Sequence, residues 1–277
     1  MKQILLLTDF SQNSINAIQY ALHLFKDDTC KFYILHVKSS KAFLSDDLVM
    51  SGGQSIYDSI LKKSKQQLLE LIDDIESEFK NENFTFQKLI DYDGLTDAIN
   101  QLKASYPIDL IVMGSNGVTG AKETIFGSNT INVIRNVDCP TLIIPEGFTY
   151  KKTSELLLPL DSKDTLNSST FSELLNFAQR FSDKIHLLRV EPYQKKSEEQ
   201  GNDIKHIKAL IKDLDYNYYV IDGVPMEYAV SCYTQTHAID LMALLVQKEN
   251  LLGHIFTSSS TSKISNTLRV PLVVYHS

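Results

Sequence analysis

The chain carries the same series of short motifs twice, and this internal repeat constrains the fold more than any other feature. The run "ILLLTDFSQNS" returns later as "LLLPLDSKDTLNS", and each apolar stretch ends in an aspartate, Asp9 or Asp161. The motifs "FYILHV", "DYDG", "DLIVMG" and "CPTLIIPE" return in the same order as "IHLLRV", "VIDG", "DLMALL" and "VPLVVYHS". A chain of 277 residues is long enough for two domains of ordinary size. The repeat therefore predicts a duplicated domain.

The spacing of matched residues locates the domain boundaries. Asp9 and Asp161 are 152 residues apart, whereas Pro140 and Pro271 are 131 apart, so the second copy is 21 residues shorter. The difference falls between the second and third predicted strands, where the first copy has a polar insert over 38–54. We predict a first domain over 1–146, a polar linker over 147–155 and a second domain over 156–277.

Each copy alternates short apolar runs with helical patterns. Runs such as "FYILHV" and "LIVM" are apolar at consecutive positions, which is typical of strands buried on both faces of a parallel sheet. The stretch from Ser55 to Phe79 has apolar residues at helical spacing. Five strands per copy, joined by crossing helices, predict two tandem doubly wound α/β domains, each a five-stranded parallel sheet flanked by helices.

Composition and charge exclude several functions. The net charge is -7 and the Lys and Arg residues are dispersed, which disfavours a nucleic-acid partner. The apolar runs are much shorter than the roughly 20 residues that span a bilayer, and the N-terminus reads as a strand and not as an export signal. The three cysteines and seven histidines suggest neither a disulfide framework nor a metal site. We expect a cytoplasmic protein without membrane association.

The most distinctive local motif is "GSNGVTGAKETIFGS", which holds four of the 11 glycines. It follows the apolar run "DLIVM", and a helical pattern resumes near Ser128. Gly114 is then expected just beyond the carboxyl end of a strand, and Gly127 at the start of a helix. Ligands of doubly wound sheets bind at such an edge, and a helix start offers free N–H groups to a phosphate. The spacing matches neither the Walker loop nor the G-x-G-x-x-G pattern.

These features together resemble the universal stress protein family in its tandem form. The resemblance rests on "TDFS" after the first strand, "HV" ending the second, "DLIVMGSNG", the spacing G-2x-G-9x-G-[S/T], and "CPTLIIPE". It implies the adenine nucleotide alpha-hydrolase-like fold, with the last strands of the two copies paired as an intrachain pseudo-dimer. A further homodimer remains open.

The resemblance also implies a binding site for ATP, or for AMP or ADP, with or without Mg, in the first copy. The spaced glycines would hold the phosphates and ribose, and the aspartate after the first strand would face the adenosine end. The residue that ends the second strand would contact the base, and two residues beside the first glycine would form the wall. The site residues so implied are Thr8, Asp9, Val37, Met113, Gly114, Ser115, Gly117, Gly127, Ser128 and Asn129.

The second copy breaks this motif. With Pro271 aligned to Pro140, Leu245 stands opposite Gly114, Lys248 opposite Gly117 and Ser258 opposite Gly127. The side chains of Leu245 and Lys248 would occupy space that a phosphate needs beside open backbone, whereas Ser258 would still offer a hydroxyl at a helix start. We therefore predict that the second copy does not bind ATP in the family manner and serves an architectural role.

Several alternatives remain open at this point. The glycines would also serve a loop without a ligand, and Asp9 would also serve as a helix N-cap. The motif identifies no general base other than Glu123, so no catalytic residue is assigned and hydrolysis would be slow at most. The functions to separate are a nucleotide-binding protein of stress response or signalling, an interaction module of the same fold, and a weak ATPase.

Overall fold

The computed structural model describes residues 1–38, 53–115, 126–164, 166–191, 199–211, 215–246 and 270–276. Each sequence repeat contributes five strands to this part of the chain. The first repeat forms β1 (Lys2–Thr8), β2 (Cys30–Val37), β3 (Phe84–Asp91), β4 (Leu110–Gly114) and β5 (Thr141–Ile144). The second forms β6 (Glu155–Asp161), β7 (Lys184–Glu191), β8 (Asp215–Asp222), β9 (Leu241–Val246) and β10 (Leu272–His276).

Helices alternate with the strands, as the apolar periodicity predicts. They are α1 (Gln12–Leu24), α2 (Gly53–Glu78), α3 (Leu95–Ser105), α4 (Ser128–Asn136), α5 (Ser169–Phe181), α6 (Glu199–Leu210) and α7 (Met226–Thr236). The first helix of each repeat begins with the same serine cap: Ser11 Oγ accepts a bond from Ser14 N, and Ser168 Oγ accepts one from Phe171 N. None of the helices in the described part of the chain is both long and apolar enough to cross a bilayer.

All ten strands belong to one sheet with the order β3-β2-β1-β4-β5-β10-β9-β6-β7-β8. Within each repeat the described strands pair in parallel, which confirms the doubly wound α/β class. The chain moves outward from β1 to β3 and then returns to place β4 on the other side of β1. The switch point of the first repeat therefore lies between β1 and β4, and that of the second between β6 and β9.

The two repeats meet edge to edge through their last strands. β10 pairs antiparallel with β5, with Val273 opposite Leu142 and Val274 opposite Thr141. All four residues are fully buried, because helices cover both faces of the sheet here. The apolar strands β5 and β10 thus pair with each other, so neither is left as an exposed strand edge. This is the intrachain pseudo-dimer.

Two apolar layers cover the sheet. Even-numbered residues of β1 and β2, such as Leu6 and Ile34, pack in the layer that contains α1, α2, α5 and α6. Odd-numbered residues, such as Leu5 and Leu35, pack in the layer that contains α3, α4 and α7. This alternation decides which side of the sheet each residue near the strand ends faces.

The segment between β5 and β6 packs on α1. Asn16 Nδ2 donates a hydrogen bond to the carbonyl oxygen of Phe148 over 2.9 Å, and the ring of Tyr150 stacks on His23 with centroids 5.4 Å apart. Gly147 has a φ of 74°, a conformation that favours glycine where the chain leaves β5. β6 begins at Glu155, the last residue of the predicted linker.

Candidate functional site

The carboxyl ends of β1, β2 and β4 lie side by side at the switch point of the first repeat. β1 pairs in parallel with both β2 and β4, so Asp9, Val37 and Gly114 come to the same edge of the sheet. Val37 packs against the apolar layer of α3 and α4, and Asp9 occupies the next odd-numbered position after Leu7. The structure thus brings together residues that are up to 105 positions apart in the sequence.

The first turn of α4 closes this edge. Gly127 is the N-cap residue, with φ -61° and ψ 160°, and no side chain caps the helix. The first backbone bond of the helix runs from Ile131 N to the carbonyl oxygen of Gly127. Within the described residues, the amides of Ser128 and Asn129 have no hydrogen-bond acceptor, and both residues are exposed. A helix start in this condition carries partial positive charge and favours an anion.

Bonds from the end of β4 fix the position of this helix start. Gly127 N donates to the carbonyl oxygen of Ser115 over 2.8 Å, and Thr130 Oγ1 donates to the same oxygen over 2.9 Å. Ser115 N donates to Ile144 O, which anchors the end of β4 to β5. The role of Thr130 could not be predicted from the sequence, because a threonine inside a helix has no distinctive spacing. Only the fold brings it to the end of β4.

Asp9 orders the turn between β1 and α1. Its Oδ1 accepts a hydrogen bond from Ser11 N over 3.0 Å, and Ser11 then caps α1. The interpretation of Asp9 as the N-cap is therefore wrong: the cap is two residues later, and Asp9 supports it. Phe10 between them has a φ of 63°, a left-handed conformation that is uncommon outside glycine and that sharpens the turn.

Thr8 and His36 face the other side of the sheet. The Thr8 hydroxyl accepts a bond from Phe10 N and lies 3.1 Å from Ser14 Oγ, and Thr8 is buried. His36 Nδ1 donates to the Thr8 carbonyl oxygen over 2.9 Å, and the His36 ring packs against Phe10 with centroids 4.5 Å apart. Burial lowers the pKa of His36, and the hydrogen bond to the Thr8 carbonyl oxygen offsets only part of this lowering. The neutral ring therefore holds the ends of β1 and β2 together.

Gly114 allows β4 to approach α1 closely. A Cβ atom at this position would lie 2.6 Å from Asn13 Nδ2 and 3.1 Å from the Asn13 carbonyl oxygen. Asn13 would have to shift to admit a side chain at position 114, so packing against α1 favours glycine here whether or not a ligand binds. Met113, one residue earlier, is buried in the apolar layer beside α4. Ser115 is also buried, while Gly117 and Glu123 lie outside the described residues.

In the second repeat a buried ion pair takes the place of His36, on the face of the sheet opposite Val190, the residue that corresponds to Val37. Arg189 stands opposite Leu160 in the register of β7 and β6, as His36 stands opposite Thr8 in the first repeat. Its guanidinium is bonded to both carboxylate oxygens of Asp203 on α6, and Tyr218 Oη donates to the same carboxylate over 2.6 Å. Arg189 and Asp203 are both completely buried.

The same arginine ties down the loop that follows β6. Its Nη1 donates to the carbonyl oxygens of Asp161 and Asp164, and Asp164 Oδ2 accepts a bond from Asp161 N over 2.8 Å. Leu245, which stands opposite Gly114, packs partly buried against the apolar layer of α5. Lys248 and Ser258 lie outside the described residues. The described end of the second repeat is thus occupied by side chains that bond to one another.

A metal site is not formed by the described residues. Among them, no group of three or more His, Cys, Asp or Glu side chains is arranged to hold an ion. Cys30 and Cys139 are buried, and burial raises the pKa of each thiol to about 11. Both thiols therefore stay protonated at neutral pH and pack as small apolar side chains.

The fold and this edge define a class: tandem, doubly wound α/β proteins whose two five-stranded sheets join through their last strands. The sequence model of the "Universal stress protein family" matches residues 1–145, just over half of the chain. The chain belongs to the universal stress protein family.

Some relatives align with about half of the chain and others with nearly all of it. The universal stress protein MJ0531 of Methanocaldococcus jannaschii is 27% identical over 144 residues, which cover 52% of this chain and 81% of that protein. The universal stress protein Slr1230 of Synechocystis is 21% identical, with 99% of this chain and 100% of that protein aligned. A crystal structure of a universal stress protein from Archaeoglobus fulgidus matches with a TM-score of 0.69 at 16% identity, covering 99% of this chain and 98% of that chain. This last likeness concerns the fold.

Proposed function

We propose that the first repeat binds ATP or another adenine nucleotide at the edge formed by β1, β2, β4 and α4, and that the chain acts in stress response or signalling. The observation that carries the proposal is the uncapped start of α4, held by Ser115 and Thr130 beside the ends of three parallel strands. A phosphate accepts bonds from such free amides, and the helix dipole adds a favourable charge interaction.

The residues at the edge suit the other parts of a nucleotide. The exposed Ser128 and Asn129 at the start of α4 offer a hydroxyl and an amide to phosphate and ribose oxygens. Val37 offers an apolar contact to a base, and the Asp9 carboxylate lies at the end of the neighbouring strand. Mg²⁺ bound together with the nucleotide would offset part of the phosphate charge. The residues present are therefore compatible with the nucleotide.

The asymmetry of the two repeats restricts the proposal to the first. In the second, Arg189 and Asp203 satisfy each other, and Arg189 also binds the loop carbonyls after β6. Leu245 and Lys248 also stand where the first repeat has Gly114 and Gly117, so the second repeat lacks the spaced-glycine motif. We therefore propose one nucleotide per chain and an architectural role for the second repeat.

One observation favours the second candidate, an interaction module without a ligand. Asn13 alone accounts for the glycine at position 114, so this residue of the motif gives no support for nucleotide binding. The proposal accordingly depends on Gly127 and the start of α4, and the experiment should address that position.

The decisive variant is Gly127→Asp, with Gly127→Asn as its matched control. Both residues are favoured N-caps and adopt the extended backbone seen at Gly127, so both should keep or raise the melting temperature. Only aspartate places a negative charge where the phosphate would lie. Isothermal titration with ATP, with and without magnesium, should show one site in the wild-type chain, weaker binding by Gly127→Asn, and loss of binding by Gly127→Asp.

Equal ATP affinity in the wild-type chain and Gly127→Asp would contradict the proposed site. Absence of binding at millimolar ATP, together with no nucleotide detected by mass spectrometry in the purified protein, would favour the interaction module. Measured ATP turnover would decide whether the bound nucleotide is hydrolysed.

A further inference from the structure

A cavity of about 490 Å³ opens at the boundary between the two repeats, far from the proposed nucleotide site. Lys2, Ile4 and Leu110 contribute to it from the beginning of β1 and β4, whereas the nucleotide edge lies where these strands end. α5 and β10 of the second repeat form the opposite wall. The antiparallel pairing of β5 and β10 is what brings this wall to the amino ends of the first repeat's strands. The volume falls within the range of about 300–1,000 Å³ that is typical of small-molecule sites.

The floor of the cavity is apolar and comes from both repeats. The buried residues that line it are Ile4, Phe25, Leu110, Phe177 and Tyr275. The rings of Phe177 and Tyr275 meet edge to face with centroids 6.4 Å apart. A flat apolar body would find aromatic contacts here, and one polar group on it would find a hydroxyl.

The rim carries the ammonium group of Lys2. Lys2 Nζ lies 5.1 Å from the ring centroid of Phe25 and 5.3 Å from that of Phe181, and within the described residues it forms no ion pair. The neighbouring cation, Arg180, differs because it pairs with Asp28. Burial, and to a lesser extent Arg180, lowers the pKa of Lys2, while Asp28 and Asp109 act in the opposite direction. A bound anion would favour the charged form of Lys2.

Two carboxylates, Asp109 and Glu173, also stand on the rim and act against an anion. Asp109 is occupied, because its Oδ2 accepts a bond of 2.7 Å from Gln3 N at the start of β1. Glu173 is exposed on α5, where solvent and salt screen its charge. The rim therefore presents the Lys2 cation close to the apolar floor and two carboxylates: Asp109, held by a backbone amide, and Glu173, screened by solvent on the opposite wall.

We propose that this cavity binds a small aromatic carboxylate, with its ring on the apolar floor and its carboxylate at Lys2. Because the site takes residues from both repeats, the ligand would bridge them. The site is independent of the proposed nucleotide site, since the two lie at opposite ends of β1 and β4.

Naphthoate is a suitable probe, and the neutral naphthamide, of nearly the same shape, is its matched comparison. Titration of the full chain, followed by calorimetry or by ligand-observed NMR, should show one naphthoate per chain. Naphthamide should bind about tenfold more weakly, since a hydrogen bond to a charged group contributes about 1.5–3 kcal/mol. Lys2→Gln should weaken naphthoate by a similar factor and leave naphthamide unchanged.

Glu173→Gln should strengthen naphthoate binding a few-fold, because it removes a like charge from the rim. Lys88→Gln, on the exposed face of β3, is the control for loss of a positive charge and should have no effect. Tyr275→Phe should weaken both probes slightly if the ring lies on the floor. Saturating ATP should leave naphthoate binding unchanged.

The proposal is overturned by no naphthoate binding at millimolar concentration, by equal affinity for naphthoate and naphthamide, or by unchanged affinity in Lys2→Gln. Competition between naphthoate and ATP, with loss of naphthoate binding in Gly127→Asp, would overturn it as well, because the probe would then occupy the nucleotide edge.

Discussion

The guanidinium of Arg189 donates to both carboxylate oxygens of Asp203, with N–O distances between 2.6 and 2.8 Å, and both side chains are completely buried. His36 holds the matching position in the first repeat and uses a single bond to the Thr8 carbonyl. The same sheet position thus supports two solutions: a neutral ring with one hydrogen bond, and a buried ion pair. The two repeats therefore differ in chemistry at this position.

Removing one partner of the ion pair should lower the free energy of unfolding strongly, whereas replacing both partners with apolar residues should lower it little. Asp203→Asn or Arg189→Met should each lower the free energy of unfolding by about 3–5 kcal/mol, because each leaves a buried group unsatisfied. The double variant Arg189→Met/Asp203→Leu should recover most of this loss. Urea denaturation measures all three, and a double variant as unstable as the sum of the singles would show that the pair contributes more than mutual neutralisation.

Gly114→Ala should destabilise the chain even in the absence of nucleotide. The added Cβ would meet the Asn13 side chain at 2.6 Å, and relief of such overpacking typically costs about 1–3 kcal/mol. Adding Asn13→Ala should restore part of the stability, though not all, because the Asn13 carbonyl oxygen remains at 3.1 Å. Thermal melts of the single and double variants test this. A fully stable Gly114→Ala would mean that α1 shifts freely.

Stability should fall as the solution is acidified below about pH 6.5, the ordinary value for histidine. Burial lowers the pKa of His36 in the folded chain, so the unfolded chain takes up the proton first and is favoured as the pH falls. The contribution of His36 to the free energy of unfolding is complete above its pKa in the unfolded chain. It is lost as the pH falls toward its pKa in the folded chain. Burial lowers the pKa of His186 as well, so two histidines contribute.

His36→Asn separates the two histidines. Its amide can still donate to the Thr8 carbonyl oxygen but does not titrate, so the variant should lose part of the pH dependence below about pH 6.5. Urea midpoints at several pH values measure the slope. An unchanged slope would assign the whole effect to His186 and other groups.

Asp240 should stabilise the start of β6. Its Oδ2 accepts bonds from Ser154 N at 2.8 Å and Glu155 N at 3.2 Å, and Lys151 pairs with Oδ1. Burial alone would raise the pKa of Asp240, but these partners hold it below the ordinary 3.8. Asp240→Asn should cost about 1–2 kcal/mol at neutral pH.

The benefit of the Asp240 carboxylate is present above pH 3.8 and is lost as the pH falls through its folded value. The difference between wild type and Asp240→Asn should therefore shrink in acid. Asp183→Asn, at the exposed pair with Lys152, is the control and should change stability by less than about 1 kcal/mol. If Asp240→Asn and Asp183→Asn lowered stability equally, the bonds of Asp240 to the start of β6 would contribute no more than an exposed ion pair.

The repeat of short motifs was sufficient to predict two doubly wound domains, because alternating and continuous apolar patterns reflect local backbone geometry and burial. The pairing of "TLII" with "LVVYH" in one chain followed from the family resemblance, and the structure confirms it. The helix start after Gly127 was also predicted, since a glycine before a helical pattern has a local signature. The domain boundaries and the nucleotide site stay predictions.

Other features depended on contacts that no local pattern encodes. Asn13 explains Gly114, Thr130 anchors α4 and Asp203 meets Arg189 only because the fold brings together residues that are 14 to 101 positions apart. The cavity at Lys2 exists because the antiparallel junction places α5 beside the amino ends of β1 and β4. The sequence determined the elements and their order, because these depend on neighbouring residues. The tertiary structure decided which side chains meet, because distances between remote residues are set by packing.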